Sequence, residues 1–405
     1  MILQHDFLDR VSRNQGGAFY IFDGSLFESN ILRFRKQLRE HYENSEVAYA
    51  CKANYMPQIG KILSRIGCMC EVVSRFEYEV ATRYLDPENV VFNGPVKRIN
   101  DLKEALSRSC MVNIDSFREI QYLETISPCV ERIEIGLRIS PPWDRQDGPS
   151  RFGFRPDEKE LDRALEMLRR IPNLTIIGLH CHASGRGRGV DHHVMRVHEL
   201  MKLRETLKKE PKVNISIINV GGGYIGEMPH SLKCQFPDDL PSMRDYAKAI
   251  GKEMLLHENG ESVKLIVEPG VSMVANTMCL IAEVVEIRKR GEKNQALLDT
   301  NINQVNPTRS QRRPVVSQVI KKRKDASCRE NYRLVGNTCM EHDVLVEEFV
   351  GCLEEGDFVA FENRGAYSIN YTPPFIVPAP AVVDVRGEVL KSPDTFETVL
   401  QAYVE

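Results

Sequence analysis

Along the chain, short apolar or β-branched runs alternate with stretches whose apolar residues recur at helical spacing. The runs are Glu46–Ala50, Glu71–Val73, Val90–Phe92, Met111–Ile114, Ile133–Ile139, Ile176–His182, Ser216–Val220 and Leu265–Val267. Several are almost continuously apolar, the pattern of parallel strands covered on both faces. Between them, residues 157–170 place Leu161, Ala164, Leu165 and Leu168 on one helix face, and helical patterns also occupy 58–66, 99–108, 192–209 and 241–256. Ser74 with Glu77, and Ser116 with Glu119, have the spacing of capping boxes directly after strands. Eight such units over about 220–240 residues predict a (β/α)8 barrel of the TIM type. An open doubly wound sheet is the alternative, but eight units would be long for one. Outside the barrel, residues 1–26 hold a strand-like run, Ala18–Phe22, and residues 271–405 read as mainly β. The proline-rich stretch 371–383 suits neither a central strand nor a regular helix, because proline removes a donor and fixes φ.

Composition narrows the classes. The chain has 405 residues, 42% hydrophobic and 27% charged, with a formal net charge of −3. That balance argues against a nucleic-acid partner, which demands a surplus of Lys and Arg. No apolar run reaches the roughly 20 residues a bilayer requires, so no membrane association is expected. The opening MILQHDFLDR has neither a basic nor an apolar leader segment. The 11 cysteines form no CxxC pair, and Cys68 and Cys70 stand in a CxC arrangement unsuited to zinc. A reduced, cytoplasmic protein is the expectation.

Chemistry in such barrels sits at the C-terminal ends of the strands. Those positions hold Lys52, Glu71 and Ser74, Asn93, Asp115, Arg138, His180 and His182, Gly221–Gly223, and Glu268. Lys52, after an apolar strand, loses hydration, which favours the free amine a Schiff base requires; alternatively it snorkels to solvent. Gly221, Gly222 and Gly223 leave backbone N–H groups open to a phosphate, although a plain tight turn would look the same. Glu268 is either a surface carboxylate before a Pro-Gly turn or a group that keeps a pyridine nitrogen protonated. His180 and His182 share a strand face; an HxH pair can ligate a metal, but no third ligand accompanies it. His182 instead suits a ring stacked on a flat cofactor, and His180 a satisfied core histidine. Taken together, these groups describe a site for pyridoxal 5′-phosphate, with no metal.

At the same residues the sequence resembles the fold-type III pyridoxal-phosphate decarboxylases, which act on ornithine, arginine and diaminopimelate. The resemblance rests on YACKAN around Lys52, EVVSRFEYEVA, FNGPVK, NIDSFREI, LRIS with RFGF, GLHCH, VGGGY, EPG, GNTCMEHD and EEGDFVAFENRGAY, in order along the chain. It implies a barrel over 27–270 and a β-rich domain made of 1–26 and 271–405. It also implies a head-to-tail homodimer with shared active sites and a small amino-acid substrate. By matching position, Lys52 would carry the cofactor, Glu268 would pair with the pyridine nitrogen, and His182 would stack on the ring with Arg138 beside it. Gly221, Gly222, Gly223, Ser184 and Tyr367 would hold the phosphate. Cys339 would return a proton to the substrate and Asp343 grip its amine, both from the partner chain; on residue type alone they read as a small buried thiol and a loop acid.

Several positions depart from the family pattern. Val271 stands where an arginine usually contacts phosphate, which leaves Arg186 or Arg188 as replacement charges. NINQVNPTRSQRRP and SINYTPPF differ from the usual continuations, and the basic run 309–324 allows a substrate with a second charged end. Those basic residues equally suit a solvated face. The altered loops point to a specialised biosynthetic substrate. A racemase or epimerase of the same fold and a non-catalytic regulatory homologue are the alternatives. The racemases usually place an arginine where Glu268 stands.

Overall fold

The computed structural model describes residues 3–140, 150–182, 189–236, 239–257, 263–291, 293–308, 312–323 and 329–403. The chain divides into two compact units, one of Glu28–Gly226 with Leu240–Met273, the other of Met1–Phe27, Glu227–Asp239 and Val274–Glu405. No helix among the described residues is long and apolar enough to cross a membrane.

Strand β1 (Phe19–Phe22) belongs to the second unit. The first unit is built on β2 (Ser45–Ala50), β3 (Met69–Val72), β4 (Val90–Phe92), β5 (Met111–Ile114), β6 (Ile133–Arg138), β7 (Leu174–His180), β8 (Val213–Asn219) and β9 (Lys264–Val267). They pair in parallel, and β9 closes onto β2, so the sheet is a barrel and the open alternative is excluded. The predicted runs match these strands, with ends displaced by up to three residues. Periodicity marks the middle of a strand and not the point where its ladder stops.

The barrel interior is built in two storeys. The lower one is apolar, with Ala48, Met69, Val91, Met111 and Ile266 clustered and Ile217 against them. Side chains two residues apart along a strand share a face, so the storey above is read by adding two. It holds Glu71, Asn93, Asn113, Asn219 and Glu268, every one of them buried. On β6 and β7 the lower positions are Gly136 and Gly178, followed by Arg138 and His180 above. Gly136 has a steric reason: a Cβ there would collide with Asn113 Oδ1.

Ser74 and Ser116 cap their helices by accepting the N–H groups of Glu77 and Glu119. The returning glutamates reach one residue further than a capping box, to the N–H groups of Val73 and Asp115. Both turns are thereby fastened beneath the barrel mouth. Glu119 also holds the fully buried Lys97, whose Nζ lies 3.0 Å from Glu119 Oε1 and donates to Gly94 O.

The second unit is a nine-stranded sheet. Its further strands are β10 (Met278–Arg290), β11 (Lys293–Leu298), β12 (Val316–Ile320), β13 (Glu330–Val335), β14 (Val344–Gly351), β15 (Phe358–Phe361), β16 (Ala381–Asp384) and β17 (Val389–Lys391). β1 lies between β10, antiparallel, and β16, parallel. The N-terminal strand therefore joins the β unit. Leu8 and Val11, from the helix His5–Gln15, cover this sheet alongside Phe19, Ile21, Ile281 and Phe358. The proline-rich stretch is not wholly peripheral. Once its last proline, Pro380, has passed, Ala381, Val382 and Val383 are fully buried as β16. Cys352 is disulfide-bonded, which corrects the expectation of a fully reduced chain at that position.

Asp299, after β11, accepts the Glu283 N–H at 2.7 Å, and burial pushes its carboxyl up to about 7. A carboxyl that holds its proton longer when folded makes stability fall as pH rises between the unfolded value of roughly 4 and 7. Asp299→Asn should flatten that slope. Urea denaturation of both proteins at the two ends of the window checks this, and a parallel pH dependence would refute it.

Candidate active site

The upper storey is one connected polar network. Lys52 sits in the short turn Cys51–Ala53 after β2, and its Nζ is ion-paired with Glu71 on β3. Asn93 Nδ2 bridges Glu71 Oε1 at 3.1 Å and Glu268 Oε1 at 2.7 Å. Asn113 Nδ2 donates to Asn93 Oδ1 and fixes that amide's orientation. On the other side Asn219 Nδ2 donates to the same Glu268 oxygen at 2.7 Å, while Asn219 Oδ1 accepts the Gly221 N–H. His180 Nε2 lies 3.4 Å from Glu268 Oε2. Lys52 is thus no bare amine at a strand end, because Glu71 holds it, and Glu71 and Glu268 share one amide donor.

Burial alone would push the Glu268 carboxyl up. The electrostatic pull of the adjacent His180, 3.4 Å away, and of Lys52 outweighs it and holds the group far below the ordinary carboxylate range. Glu268 is therefore a buried anion. His182 goes the other way: burial first, then the charge of Lys52, lowers its pKa well below the usual value, so the ring is neutral. Its Nδ1 accepts the Gly222 N–H at 3.0 Å. The two histidines of GLHCH thus serve different partners, and His180 belongs to the site rather than to the core.

The glycine triplet turns above β8. Gly221 has φ +67° and Gly223 φ +101°. A Cβ on Gly221 would meet Cys181 O at 2.6 Å, and one on Gly222 would meet Glu268 O at 2.6 Å, so only glycine fits between β7 and β9 here. Beneath the turn lies Arg196, from the helix Val190–Leu207, with no solvent exposure. Its Nη1 donates to Gly222 O at 2.8 Å and Val220 O at 3.3 Å, while Nε and Nη2 have no hydrogen-bond partner.

Arg138, at the end of β6, donates to Asp115 Oδ2 at 2.6 Å and lies over the Phe152 ring at 4.4 Å. The Gly153 N–H donates to Asp115 Oδ1, which accounts for RFGF as the segment that closes over this arginine. Ser184, Arg186 and Arg188 lie outside the described residues. Val271 is partly exposed.

In the β unit, Cys339 is exposed. Asp343 is buried, its Oδ1 accepting the Ile302 N–H and its Oδ2 the Thr338 N–H and hydroxyl. Tyr367 has φ +52°, uncommon for a residue with a side chain.

These features belong to a barrel enzyme that carries a phosphorylated, flat-ring cofactor at its mouth. The sequence profile of the family described as "Pyridoxal-dependent decarboxylase, pyridoxal binding domain" matches residues 27–275, more than half of the chain. The chain belongs to this family. It is 28% identical over 371 residues to a diaminopimelate decarboxylase of Vibrio cholerae, covering 88% of this chain and 84% of that one. A diaminopimelate decarboxylase of Aquifex aeolicus is 25% identical over 374 residues, covering 89% and 84%. Among solved structures, the diaminopimelate decarboxylase of M. jannaschii superposes with a TM-score of 0.85 at 23% identity, over 98% of this chain and 94% of that one. The lysine/ornithine decarboxylase of Vibrio vulnificus gives 0.77 at 18% identity, over 95% and 98%. The protein is an amino-acid decarboxylase dependent on pyridoxal 5′-phosphate, and nothing in these likenesses favours a racemase.

The residues fit that cofactor. The buried Arg196, beside the glycine turn, is bonded to two of its carbonyls and has no acidic partner among the described residues. A buried cation lacking a counter-ion is costly, and a phosphate at the turn supplies one. Strand-end reading finds Lys52, Glu268, His182 and the glycines but misses Arg196. Its signal is an arginine in the inward stripe of a helix, beside Val197 and Leu200.

Arg196→Met should weaken the phosphorylated cofactor's binding to apoprotein at least about tenfold, the scale set by losing one charge-assisted contact. Pyridoxal without the phosphate should bind as before, and Arg196→Lys should restore most of the loss. Fluorescence titration with both forms decides this. An equal loss for both would mark Arg196 as structural only.

Proposed function

We propose that this enzyme decarboxylates an amino acid with a second charged end, diaminopimelate or a larger derivative of a diamino acid. The observation that carries the reading is the ionised Glu268, held among Asn93, Asn219 and His180 and joined through Asn93 to the carboxylate that holds Lys52. Support for the substrate class comes from the curated relatives, which are named diaminopimelate decarboxylases.

Lys52 would hold the cofactor through its amine, which Glu71 positions. Glu71 is in turn held by Asn93. Bound there, the cofactor supplies an electron sink for the pair left on Cα as CO2 departs. Glu268 keeps a proton on the ring nitrogen, because its carboxyl remains ionised through neutral and mildly acid pH. His182, neutral and fixed by the Gly222 N–H, offers a flat face without competing for that proton. In the glycine turn the Gly221 and Gly222 N–H groups are taken by Asn219 and His182, so the phosphate would be met by the Gly223 N–H and the positive charge of Arg196. Cys339 returns one proton to Cα, balancing the lost carboxylate. Asp343 ties Thr338 of its own loop, 336–343, to the Ile302 N–H, and so positions Cys339. Cys339 and Asp343 act from a partner subunit in a head-to-tail homodimer. The enzyme works in the cytoplasm.

A CO2-release assay over diaminopimelate, lysine, ornithine, arginine, glutamate and diamino acids acylated with a dicarboxylic acid tests the substrate class, with leucine and alanine as uncharged controls. Release should be confined to substrates with a second charged end; comparable release from leucine would refute the proposal. On the best substrate, Glu268→Gln should lower kcat by about 10²–10⁴-fold, the usual range for losing a positioned proton-holding group, with cofactor still bound. An unchanged kcat would remove Glu268 from the chemistry.

A further inference from the structure

On the outer wall of the barrel, away from the mouth, three metal-ligating side chains converge. His198 stands in the helix Val190–Leu207, Glu253 in the helix Met243–Leu256, and His257 follows the latter as its C-cap. His198 Nδ1 lies 3.0 Å from Glu253 Oε1, His257 Nε2 lies 2.9 Å from the same oxygen, and the two ring nitrogens are 3.3 Å apart. We propose that His198, Glu253 and His257 form a binding site for a zinc-class divalent metal, which clips these two helices together.

The geometry is that of one face of a coordination tetrahedron. Bonds of about 2.0–2.2 Å from zinc to nitrogen and oxygen place tetrahedral ligand atoms roughly 3.3–3.5 Å apart. The observed triangle has to open by no more than about half an ångström to match that spacing. Two imidazole nitrogens with one carboxylate oxygen suit a borderline metal and not magnesium or calcium, which take oxygen ligands. Glu253 is largely buried, with 13% side-chain exposure, so the carboxylate is held rather than swinging in solvent. His198 is more open, with 45% exposure, which leaves a route for the ion and a fourth position for water. Glu253 and His257, four residues apart at one helix end, present their donors on one side, and His198 completes the set from the neighbouring helix.

The consequence reaches the cofactor site without any part in the chemistry. His198 is two residues beyond Arg196 on the same helix, so a metal at this clip steadies the element that supports the glycine turn.

The test is titration of chelator-treated holoenzyme with Zn2+, and with Co2+ as a visible probe of tetrahedral coordination. Wild type should bind one equivalent at this site and unfold at a higher temperature with metal. His198→Ala and His257→Ala should each lose affinity at least about tenfold and lose the thermal shift. An unchanged cofactor absorbance band in the variants shows that the barrel is folded, and it keeps this result separate from the decarboxylase reading. Retained affinity in both variants would overturn the site, assigning any bound metal to the exposed thiols. So would an absence of binding and of thermal shift in wild type.

Discussion

A carboxylate buried away from water has to be held ionised by its neighbours, and the site's architecture follows from that demand on Glu268. Two amides donate to one of its oxygens, and a histidine faces the other. Each of these groups needs its own support. Asn113 turns Asn93, the Gly221 N–H turns Asn219, and Gly136 is a glycine so that Asn113 has room. Buried polar networks stabilise one arrangement only when their members are satisfied together. The apolar storey below, two residues earlier on each strand, seals the network from the other end of the barrel.

The same logic explains how charge is apportioned. Lys52 and Glu71 form a pair, as do Arg138 and Asp115, and Lys97 and Glu119. Among the described residues that are wholly buried, Arg196 is the exception. It is wholly buried and bonded through one nitrogen to two carbonyls of the glycine turn, leaving a positive charge for an incoming anion. The β unit applies the principle on a smaller scale. There Asp343 joins Thr338, in the loop that carries the exposed Cys339, to the Ile302 N–H.

Much of this was legible in the sequence, because barrels put chemistry at strand ends and an inward position recurs every two residues. Lys52, Glu71, Asn93, Arg138, His180 and Glu268 stand out on that rule. Asn113 and Asn219 did not, since an asparagine inside an apolar run reads as an interruption until the storey it belongs to is known. Arg196 was hidden by habit, as arginine in a helix is ordinarily assigned to the solvent face. The helix His5–Gln15 escaped notice although Leu8, Val11 and a left-handed Gly16 stop signal mark it. β16 was obscured by prolines that end one residue before it begins.

The most direct measurement of the central claim is the protonation state of the cofactor's ring nitrogen. Holoenzyme reconstituted with 15N-labelled pyridoxal phosphate should show a protonated nitrogen whose NMR shift is constant from about pH 5.5 to 8.5, across which a depressed carboxylate stays ionised. A neutral nitrogen in the wild-type enzyme at neutral pH would contradict the assignment of Glu268 as the anion that keeps it charged.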